Sequence, residues 1–386
     1  MTRLRFTNGT ILGPRGAEQT LRVEEGRIVD AASGDADETI DLEQGWLLPG
    51  FIDVQVNGGG GVLFNDTPTV DAIARIGDAH RAFGTTSFLP TLISDDLDVV
   101  DTAMRAVEQA IGEGVPGVVG IHLEGPFLSD ARKGTHDASK FRRMDDRAIR
   151  LLSSLALGRT LVTLAPEQGS PEDIRRLVEA GVVVAAGHSD ADYATTKAAF
   201  AAGITGVTHL YNAMSPLGHR APGVVGATLE DQQVYAGVII DGRHVDPVAL
   251  RIAMNARPRD RFLIVTDAMP TVGSATKTFV LQGKTIRVED GVCLGPDGTL
   301  AGSDLDMATA FRNAVNMVGV TIAEAAVMAA GAPAAFMGLA DRGVLKPGMR
   351  ADLVWLDRDL MPRGVWTAGR RNGAGQPQAP RPMGGG

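Results

Sequence analysis

Short apolar segments recur through the middle of the chain, and stretches with the residue spacing of amphipathic helices lie between most of them. The apolar segments are 50–56, 85–93, 117–123, 160–165, 182–186, 204–208, 234–240 and 262–266. The stretches with helical spacing are 69–82, 97–111, 146–155, 171–180, 191–201 and 246–256. This alternation indicates a parallel sheet whose faces are covered by helices. Eight units over roughly 220 residues predict an α/β fold of the TIM-barrel type, (β/α)8, with a doubly wound open sheet as the competing fold.

The two ends of the chain have a different pattern, in which short alternating segments are interrupted by Gly and Asp. Neither end is long enough to bury a core alone. We therefore expect residues 1–49 and 343–369 to form one small β-sandwich domain beside the barrel, which occupies 50–342. Residues 278–300 are expected to form hairpins inserted after the eighth strand. Residues 370–386 are rich in Gly, Pro, Arg and Gln, a composition that predicts a disordered tail.

The net negative charge of the chain limits the kinds of molecule that it is expected to bind. The 386 residues carry a formal net charge of −9, which argues against nucleic-acid binding but leaves an anionic small-molecule substrate open. No apolar run reaches the ~18 residues of a membrane span, and the first residues lack the apolar core of a signal peptide. The single cysteine, Cys293, excludes an intrachain disulfide framework. We therefore expect a cytoplasmic enzyme with no membrane partner.

Polar side chains follow the apolar segments at the points where the predicted strands end. The active sites of TIM barrels lie at these carboxyl ends. The residues found there are His122, Glu124, His188, His209, His244 and Asp267. A single histidine after a strand is more often structural. Histidines at four strand ends, together with a glutamate and an aspartate, predict an active site.

Three of these residues suit a metal ion. Two imidazoles and one carboxylate are a usual ligand set of catalytic zinc, and Glu124, His188 and His209 can supply it. His122 alternates with Glu124 along one strand, so both point to the same face, and His122 either ligates or orients and packs. Hydrolysis at such a metal also needs a base. Asp267 is the candidate base, with a helix N-cap as the alternative role.

Two loop residues suggest how a substrate is held. His136, in the loop after the third strand, can donate a hydrogen bond to a carbonyl oxygen, although a surface histidine is an equal alternative. Arg220 lies in a long loop that contains Gly and Pro, and its guanidinium suits bidentate binding of phosphate or carboxylate. On composition alone, Arg220 is better explained as a surface residue.

The residues considered so far lie in a series of short motifs. The series is LPGFID at 48–53, HLEGPF at 122–127, KGTH at 133–136, AGHS at 186–189, THLYNAM at 208–214, DGRH at 241–244, VTD at 265–267, GTLAGS at 298–303 and GMRAD at 348–352. Taken in order, these motifs resemble the N-acetylglucosamine-6-phosphate deacetylase family of the amidohydrolase superfamily. The resemblance extends from about residue 4 to residue 368 without large gaps.

The resemblance implies a metal-dependent hydrolase barrel and roles for residues at the matching positions. Glu124, His188 and His209 would bind the metal, which in such enzymes is usually zinc. Asp267 would act first as the general base and then as the acid. His136 would contact the N-acetyl carbonyl of the substrate.

The resemblance also implies a homodimer and a set of residues that bind an amino-sugar phosphate. Arg220 and His244 would hold the phosphate, and either can be contributed across the dimer interface. Leu300 to Gly302 would line the sugar with backbone groups. The complete substrate-binding set implied in this way is His136, Asn212, Ala213, Arg220, His244, Leu300, Ala301 and Gly302.

One departure from the wider superfamily bears on the number of metal ions. Many amidohydrolases carry His-x-His at the end of the first strand, where it helps to bind a second metal. Gln55 and Asn57 occupy these positions here. Their neutral amides are weak ligands beside imidazole, so we expect one divalent metal ion per subunit. Gln55 and Asn57 are then free to shape the pocket.

The expected reaction is hydrolysis of the acetamide of N-acetylglucosamine 6-phosphate to glucosamine 6-phosphate and acetate, a step of amino-sugar catabolism. A deacetylase for another N-acetylamino-sugar phosphate, such as N-acetylgalactosamine 6-phosphate, would share every catalytic residue. A catalytically inactive barrel that binds sugar phosphates is the alternative from another class. That alternative predicts the loss of a metal ligand or of the base. The sequence contains all four of these residues: Glu124, His188, His209 and Asp267.

Overall fold

A parallel sheet of eight strands forms the centre of the protein, for which a computed structural model describes residues 2–14, 16–31 and 34–373. The strands neighbour one another in chain order, as a TIM barrel requires. They are β1 (Phe51–Val56), β2 (Thr85–Ile93), β3 (Gly120–Glu124), β4 (Arg159–Leu164), β5 (Val183–Ala186), β6 (Gly206–Val207), β7 (Tyr235–Val238) and β8 (Phe262–Ile264). Each lies within one of the predicted apolar segments or overruns it by a single residue.

The barrel closes just beyond the end of β8. Val56, the last residue of β1, pairs in parallel with Ala268. The amides of Asn57 and Gly58 donate to the Ala268 carbonyl at 2.9 and 3.0 Å. These bonds bring the first strand against the turn that follows the eighth. The predicted barrel is confirmed, and an open doubly wound sheet is excluded.

Helices connect the strands and cover the sheet. Those between strands are α1 (Val70–Arg81), α2 (Leu97–Gly112), α3 (Asp146–Leu152), α4 (Pro171–Glu179), α5 (Tyr193–Ala202), α6 (Gly223–Glu230) and α7 (Pro247–Ala256). Short 3-10 turns lie at Asp130–Arg132, Ala138–Lys140 and Arg259–Arg261. A helical region after β8 comprises Met307–Asn313, Ala314–Val318, Ile322–Ala326, Val327–Gly331 and Ala332–Phe336, of which the second and fourth are π-helical.

The six predicted helices are present, but α6 and the helical region 307–336 were not predicted. Residues 223–229 of α6 are all buried, so the helix is apolar on every side and shows no polar face. The helical region 307–336 is rich in alanine, which weakens the difference between an apolar and a polar helix face. A capping box formed by Thr321 and Glu324 is the sequence signal that could have revealed it.

Strands from both ends of the chain form two further sheets that share a core. The four-stranded sheet contains, in order, Arg27–Val29, Leu21–Glu24, Leu4–Thr7 and Glu38–Asp41. The six-stranded sheet contains Arg370–Arg371, Pro362–Thr367, Leu353–Leu356, Trp46–Pro49, Thr10–Gly13 and Gly16–Glu18. Phe6 of one sheet packs edge-on against Trp366 of the other, with ring centroids 5.0 Å apart. The predicted combination of barrel and β-sandwich is confirmed, while the exact domain boundaries stay a prediction.

The segment after β8 forms the predicted insertion, an antiparallel sheet. Its strands are Thr278–Leu281, Lys284–Glu289, Val292–Leu294 and Leu300–Ser303, so the last extends three residues beyond the predicted end. A hairpin of Gly58–Gly59 and Val62–Leu63 lies after β1. No helix within the described ranges combines the length and the apolar character needed to cross a membrane.

The segment predicted to be a disordered tail, 370–386, is ordered at its start. Arg370 and Arg371 pair with Thr367 and Trp366 as a short antiparallel strand, so the prediction was wrong for these two residues. The cause is the adjacent strand Pro362–Thr367, whose exposed edge they complete. Residues 374–386 lie outside the described residues.

Candidate active site

A cavity of about 370 Å³ lies at the carboxyl ends of the barrel strands. It is bounded on one side by the inserted sheet. All residues predicted to bind the metal or the substrate or to act as the base line this cavity, with the exception of Arg220: Glu124, His136, His188, His209, Asn212, Ala213, His244, Asp267, Leu300, Ala301 and Gly302. The fold therefore brings together residues that are up to 178 positions apart in sequence, as Glu124 and Gly302 are.

Glu124, His188 and His209 converge on one point. Oε1 of Glu124 lies 3.2 Å from Nε2 of His188 and 2.9 Å from Nε2 of His209. The two Nε2 atoms are 3.1 Å apart. All three side chains are buried, and among the described residues no other group of this kind is recorded.

The hydrogen bonding around His188 suits a metal ligand. Its Nδ1 donates to the Arg132 carbonyl at 2.9 Å, since a carbonyl oxygen can only accept. This contact places the ring proton on Nδ1 and leaves the Nε2 lone pair directed at Glu124. A second bond of this kind commonly orients a ligating histidine. Two imidazole nitrogens and one carboxylate oxygen, with room for a further ligand in the cavity, fit the donor set that zinc prefers.

Glu124 and His209 shift the pKa of each other. Burial alone would raise the pKa of Glu124, but the contacts of its carboxylate with the imidazoles of His188 and His209 lower it well below its ordinary value. Burial disfavours the charged form of His209, yet the adjacent Glu124 carboxylate raises the pKa of that imidazole overall. The glutamate therefore stays an anion that can bind a cation.

His122 is held away from the triad. Its Nε2 lies 2.7 Å from Oγ1 of Thr163, and its Nδ1 lies 3.3 Å from Oγ1 of Thr91. Both ring nitrogens are thus engaged by hydroxyls inside the barrel, one layer below Glu124. Of the two roles considered for His122, this geometry favours the packing role over metal ligation.

Asp267 lies at the closure between β8 and β1. Nδ2 of Asn57 donates to its Oδ1 at 2.6 Å, and Nε2 of Gln55 donates to the same oxygen at 3.2 Å. Gln55 also donates to both carboxylate oxygens of Glu124, at 3.2 and 3.3 Å. Removal from water, with the Glu124 charge adding to it, raises the pKa of Asp267 to about 6. Gln55 and Asn57 therefore act as donors that hold carboxylates.

Several site residues adopt left-handed backbone conformations that are rare for residues other than glycine. The φ angle is 47° at His188, 33° at His209 and 52° at Asp267, and it is also positive at Tyr211 and Ala213. Such conformations cost of order 1–3 kcal/mol each and persist where the surrounding structure enforces them. These five conformations occur at or just after three strand ends that meet at the cavity.

His136 is a neutral hydrogen-bond donor. The amide of Ser94 donates to its Nδ1 at 3.3 Å, and Oγ of Ser94 lies 2.8 Å from the same nitrogen. Since Nδ1 accepts, the ring proton resides on Nε2. Burial lowers the pKa of His136 to about 3. The ring centroid is 4.4 Å from that of His188, so this donor lies beside the ligand cluster.

On the other side of the cavity, His244 and Asn212 offer polar groups to a ligand. Nδ1 of His244 pairs with Oδ2 of Asp241 at 2.6 Å, which fixes the ring and leaves Nε2 for another partner. The Asn212 amide nitrogen Nδ2 is buried and has no protein partner in the described part of the chain. An incoming anion or hydroxyl could satisfy both groups.

Arg220 is not brought to this cavity. The residue is exposed in the loop before α6, does not line the cavity, and forms no hydrogen bond or ion pair with the described residues. Leu217 in the same loop is 56% exposed, although leucine is usually buried. The loop therefore exposes a cation and an apolar side chain, neither of which lines the cavity.

Sequence reasoning missed the residues that support the site. Three groups that hydrogen-bond to histidines were not predicted: Ser94, Thr163 and the carbonyl of Arg132. Apart from lying near strand ends, they show no sequence pattern that indicates this role. Apolar residues also line the cavity: Ile93, Ile239, Met269 and Leu281. In a sequence such residues cannot be distinguished from an ordinary core.

The barrel with a histidine and carboxylate cluster at its carboxyl end defines the class of this protein. The sequence profile of the Amidohydrolase family matches residues 46–372, and the chain belongs to this family. Within it, the chain is 44% identical to "N-acetylgalactosamine-6-phosphate deacetylase" of Shewanella sp. (strain ANA-3), over 85% of this chain and 83% of that protein. It is 37% identical to "N-acetylglucosamine-6-phosphate deacetylase" of Bos taurus, over 95% and 94% of the two chains.

A solved structure is similar over almost the whole chain. N-acetylglucosamine-6-phosphate deacetylase from Pasteurella multocida superposes with a TM-score of 0.92 at 33% identity. The match covers 96% of this chain and 99% of that one. The β-sandwich and the inserted sheet are thus part of the shared architecture.

The geometry predicts which histidines hold the metal. Replacing His209 by Ala removes one of three converging ligand atoms, so metal content should fall from about one ion per chain to a small fraction of that value. His122→Asn is the matched control, because His122 bonds to threonine hydroxyls. Metal analysis of both purified variants makes the comparison. If His122→Asn lost its metal as completely as His209→Ala, the packing role of His122 would be wrong.

Proposed function

We propose that this chain hydrolyses the N-acetyl group of N-acetylglucosamine 6-phosphate, releasing glucosamine 6-phosphate and acetate, as a cytoplasmic enzyme of amino-sugar catabolism. One observation carries the proposal: Glu124, His188 and His209 meet Asp267 and His136 around a single cavity. A cation site, a carboxylate and a neutral donor are the three elements that amide hydrolysis needs.

The galacto epimer is the second candidate substrate. The relative from Shewanella is 44% identical to this chain and is named for N-acetylgalactosamine 6-phosphate. The two sugars differ in the configuration of one hydroxyl and present the same acetamide and phosphate. The same catalytic residues therefore serve either substrate, and a direct comparison of the two must decide.

Glu124, His188 and His209 would hold one divalent ion per subunit, for which zinc suits the donor set best. When bound, such an ion lowers the pKa of water and polarises the amide carbonyl. Gln55 supports a single ion because its amide nitrogen faces Glu124 and Asp267 as a donor. An amide that presents its N–H groups in this direction does not act as a ligand.

Asp267 would move the proton during the reaction. Its carboxylate accepts a proton from the attacking water and then donates it to the nitrogen of the leaving amine. Asn57 and Gln55 both bind Oδ1, so Oδ2 is the oxygen left for this exchange. His136, with its proton on Nε2, donates to the carbonyl oxygen as negative charge develops there.

The phosphate would be bound by His244 and Asn212 of this chain and by Arg220 of a second copy. Arg220 and Leu217 are exposed and do not line their own cavity, which supports a homodimer in which the loop reaches the neighbouring active site. Exposed Val248 and Ile252 on α7 offer further apolar surface for such contact.

Acetate release tests the proposed function. The purified protein is assayed with N-acetylglucosamine 6-phosphate, its galacto epimer and unphosphorylated N-acetylglucosamine, and metal content is measured on the same sample. We expect rapid turnover of the gluco phosphate and weak turnover of the free sugar. Faster turnover of the galacto epimer would assign the enzyme to that substrate instead. No acetate from any of the three, with one metal bound, would refute amino-sugar deacetylation.

Asp267→Asn tests the proton transfer. The amide keeps the size of the side chain but cannot accept the proton, so kcat should fall by about 10²- to 10⁴-fold while KM and metal content change little. Asp71→Asn, at an exposed position on α1, is the control and should match the wild type. Steady-state kinetics with metal analysis provide the readout. Turnover of Asp267→Asn within a few fold of wild type would rule out Asp267 as the base.

Arg220→Ala tests the phosphate contact across the dimer. Loss of a charged hydrogen bond should lower kcat/KM for the phosphorylated sugar by about 10- to 100-fold, with little effect on the unphosphorylated one. Arg105→Ala, an exposed arginine on α2, is the control. Analytical ultracentrifugation of the wild type should show a dimer. An equal loss for both sugars, or a monomer with full activity, would contradict the assignment.

A further inference from the structure

Ser303 lies where the inserted sheet meets the turn that carries Asp267. It ends the strand Leu300–Ser303 and is completely buried. Its amide donates to the Asp267 carbonyl at 2.9 Å, and its carbonyl accepts from the Met269 amide at 2.9 Å. Its hydroxyl donates to the Thr266 carbonyl at 2.6 Å. Ser303 thus binds the backbone on both sides of Asp267.

Gly302 allows this close approach. Its φ angle is 70°, and a Cβ placed there would lie 2.6 Å from Cγ of Met269 and 2.9 Å from the Asp267 carbonyl oxygen. Any larger residue would push the strand away from the turn. The contact between Ser303 and the turn therefore depends on a glycine at the preceding position.

The same turn is held from the barrel side by a buried carboxylate. Oγ1 of Thr266 donates to Oδ2 of Asp53 at 2.5 Å and accepts from the Ala268 amide at 3.2 Å. Asp53 belongs to β1, and Ser303 belongs to the inserted sheet. The left-handed conformation of Asp267 is thus enforced by contacts from two separate elements.

The strand that ends at Ser303 also forms a wall of the cavity. Leu300, Ala301 and Gly302 line it directly. One strand therefore faces the substrate along its length and fixes the backbone of the base at its end. A shift of this strand would change the position of the Asp267 carboxylate relative to the cavity.

We propose that Ser303 is a positioning residue for Asp267, which sets the base at the end of the strand that lines the substrate cavity. This inference rests on the proposed function of Asp267 as the base. Ser303 does not touch the reacting atoms and acts through the three bonds to residues 266, 267 and 269.

Ser303→Ala and Gly302→Ala test the proposal through different atoms. The first removes the hydroxyl, and the second forces the strand away from the turn. Gly298→Ala is the matched control, because Gly298 has a φ angle of 79° and no atom within 4 Å of its Cβ position. Gly298→Ala therefore introduces an alanine at a positive φ angle, as Gly302→Ala does, but the added Cβ does not contact the turn. A displaced catalytic group can cost about 10²-fold in rate. We therefore expect kcat to fall by about 10- to 100-fold in both test variants, with metal content close to that of Gly298→Ala in both and KM close to it in Ser303→Ala, since Gly302 also lines the cavity.

A double variant separates positioning from a general structural role. If Ser303 acts through the base, adding Ser303→Ala to Asp267→Asn should lower the residual kcat by less than about twofold, because the group being positioned is already inactive. An independent structural role would give the full loss again. Should Ser303→Ala fail to fold, Ser303→Cys in both backgrounds, with Gly302→Ala alone, makes the same comparison.

Amide hydrogen exchange of the peptide that contains residues 266–269 provides a readout that needs no substrate. Exchange should be faster in Ser303→Ala and Gly302→Ala than in Gly298→Ala. Unchanged exchange, unchanged kcat or a loss confined to KM would overturn the positioning role. If wild-type protein released no acetate while exchange was faster in both test variants, the proposed function would fail and the contact with the turn would stand.

Discussion

The structure depends on the hydrogen bonds that join the first strand of the barrel to the turn after the eighth. Asn57 and Gly58 donate to the carbonyl of Ala268, and Asp267 donates through its amide to the carbonyl of Gln55 at 3.1 Å. The side chains of Gln55 and Asn57 then reach back to the Asp267 carboxylate. The residues that close the barrel are thus the residues that orient the base. The contacts that close the barrel therefore also shape the site.

The site gathers charges that would be unstable without their neighbours. Glu124 and Asp267 are close enough to share Gln55 as a donor, and moving carboxylates out of water is costly unless they are hydrogen-bonded or paired. The imidazoles of His188 and His209 contribute donors or lone pairs at the same point. A divalent ion would offset the remaining negative charge. Both histidines reach this point from a left-handed backbone, which persists where the surrounding structure enforces it.

The sequence was most informative where function coincides with the end of a strand. His188, His209 and Asp267 each follow an apolar segment, so their place at the barrel mouth could be predicted from periodicity. His122 left two roles open, because alternation along a strand gives the face of a residue and not its depth in the barrel. Ser94 gave no signal, since its contact with a histidine joins two loops and has no local pattern.

Local sequence determined the strand and helix rhythm, the chemistry at the strand ends and the glycine that lets the inserted sheet approach. These properties arise from neighbouring residues, whose side-chain spacing and backbone preferences are written in the chain itself. Tertiary structure alone decided which groups meet. Asn57 and Asp267 are 210 residues apart in sequence, yet Nδ2 of Asn57 lies 2.6 Å from Oδ1 of Asp267. Arg220, by contrast, follows His209 by only 11 residues and does not line the cavity of its own chain. Which of these residues meet follows from the closure of the barrel. Hydrogen bonds between distant segments leave no repeating pattern in the sequence from which they could be predicted.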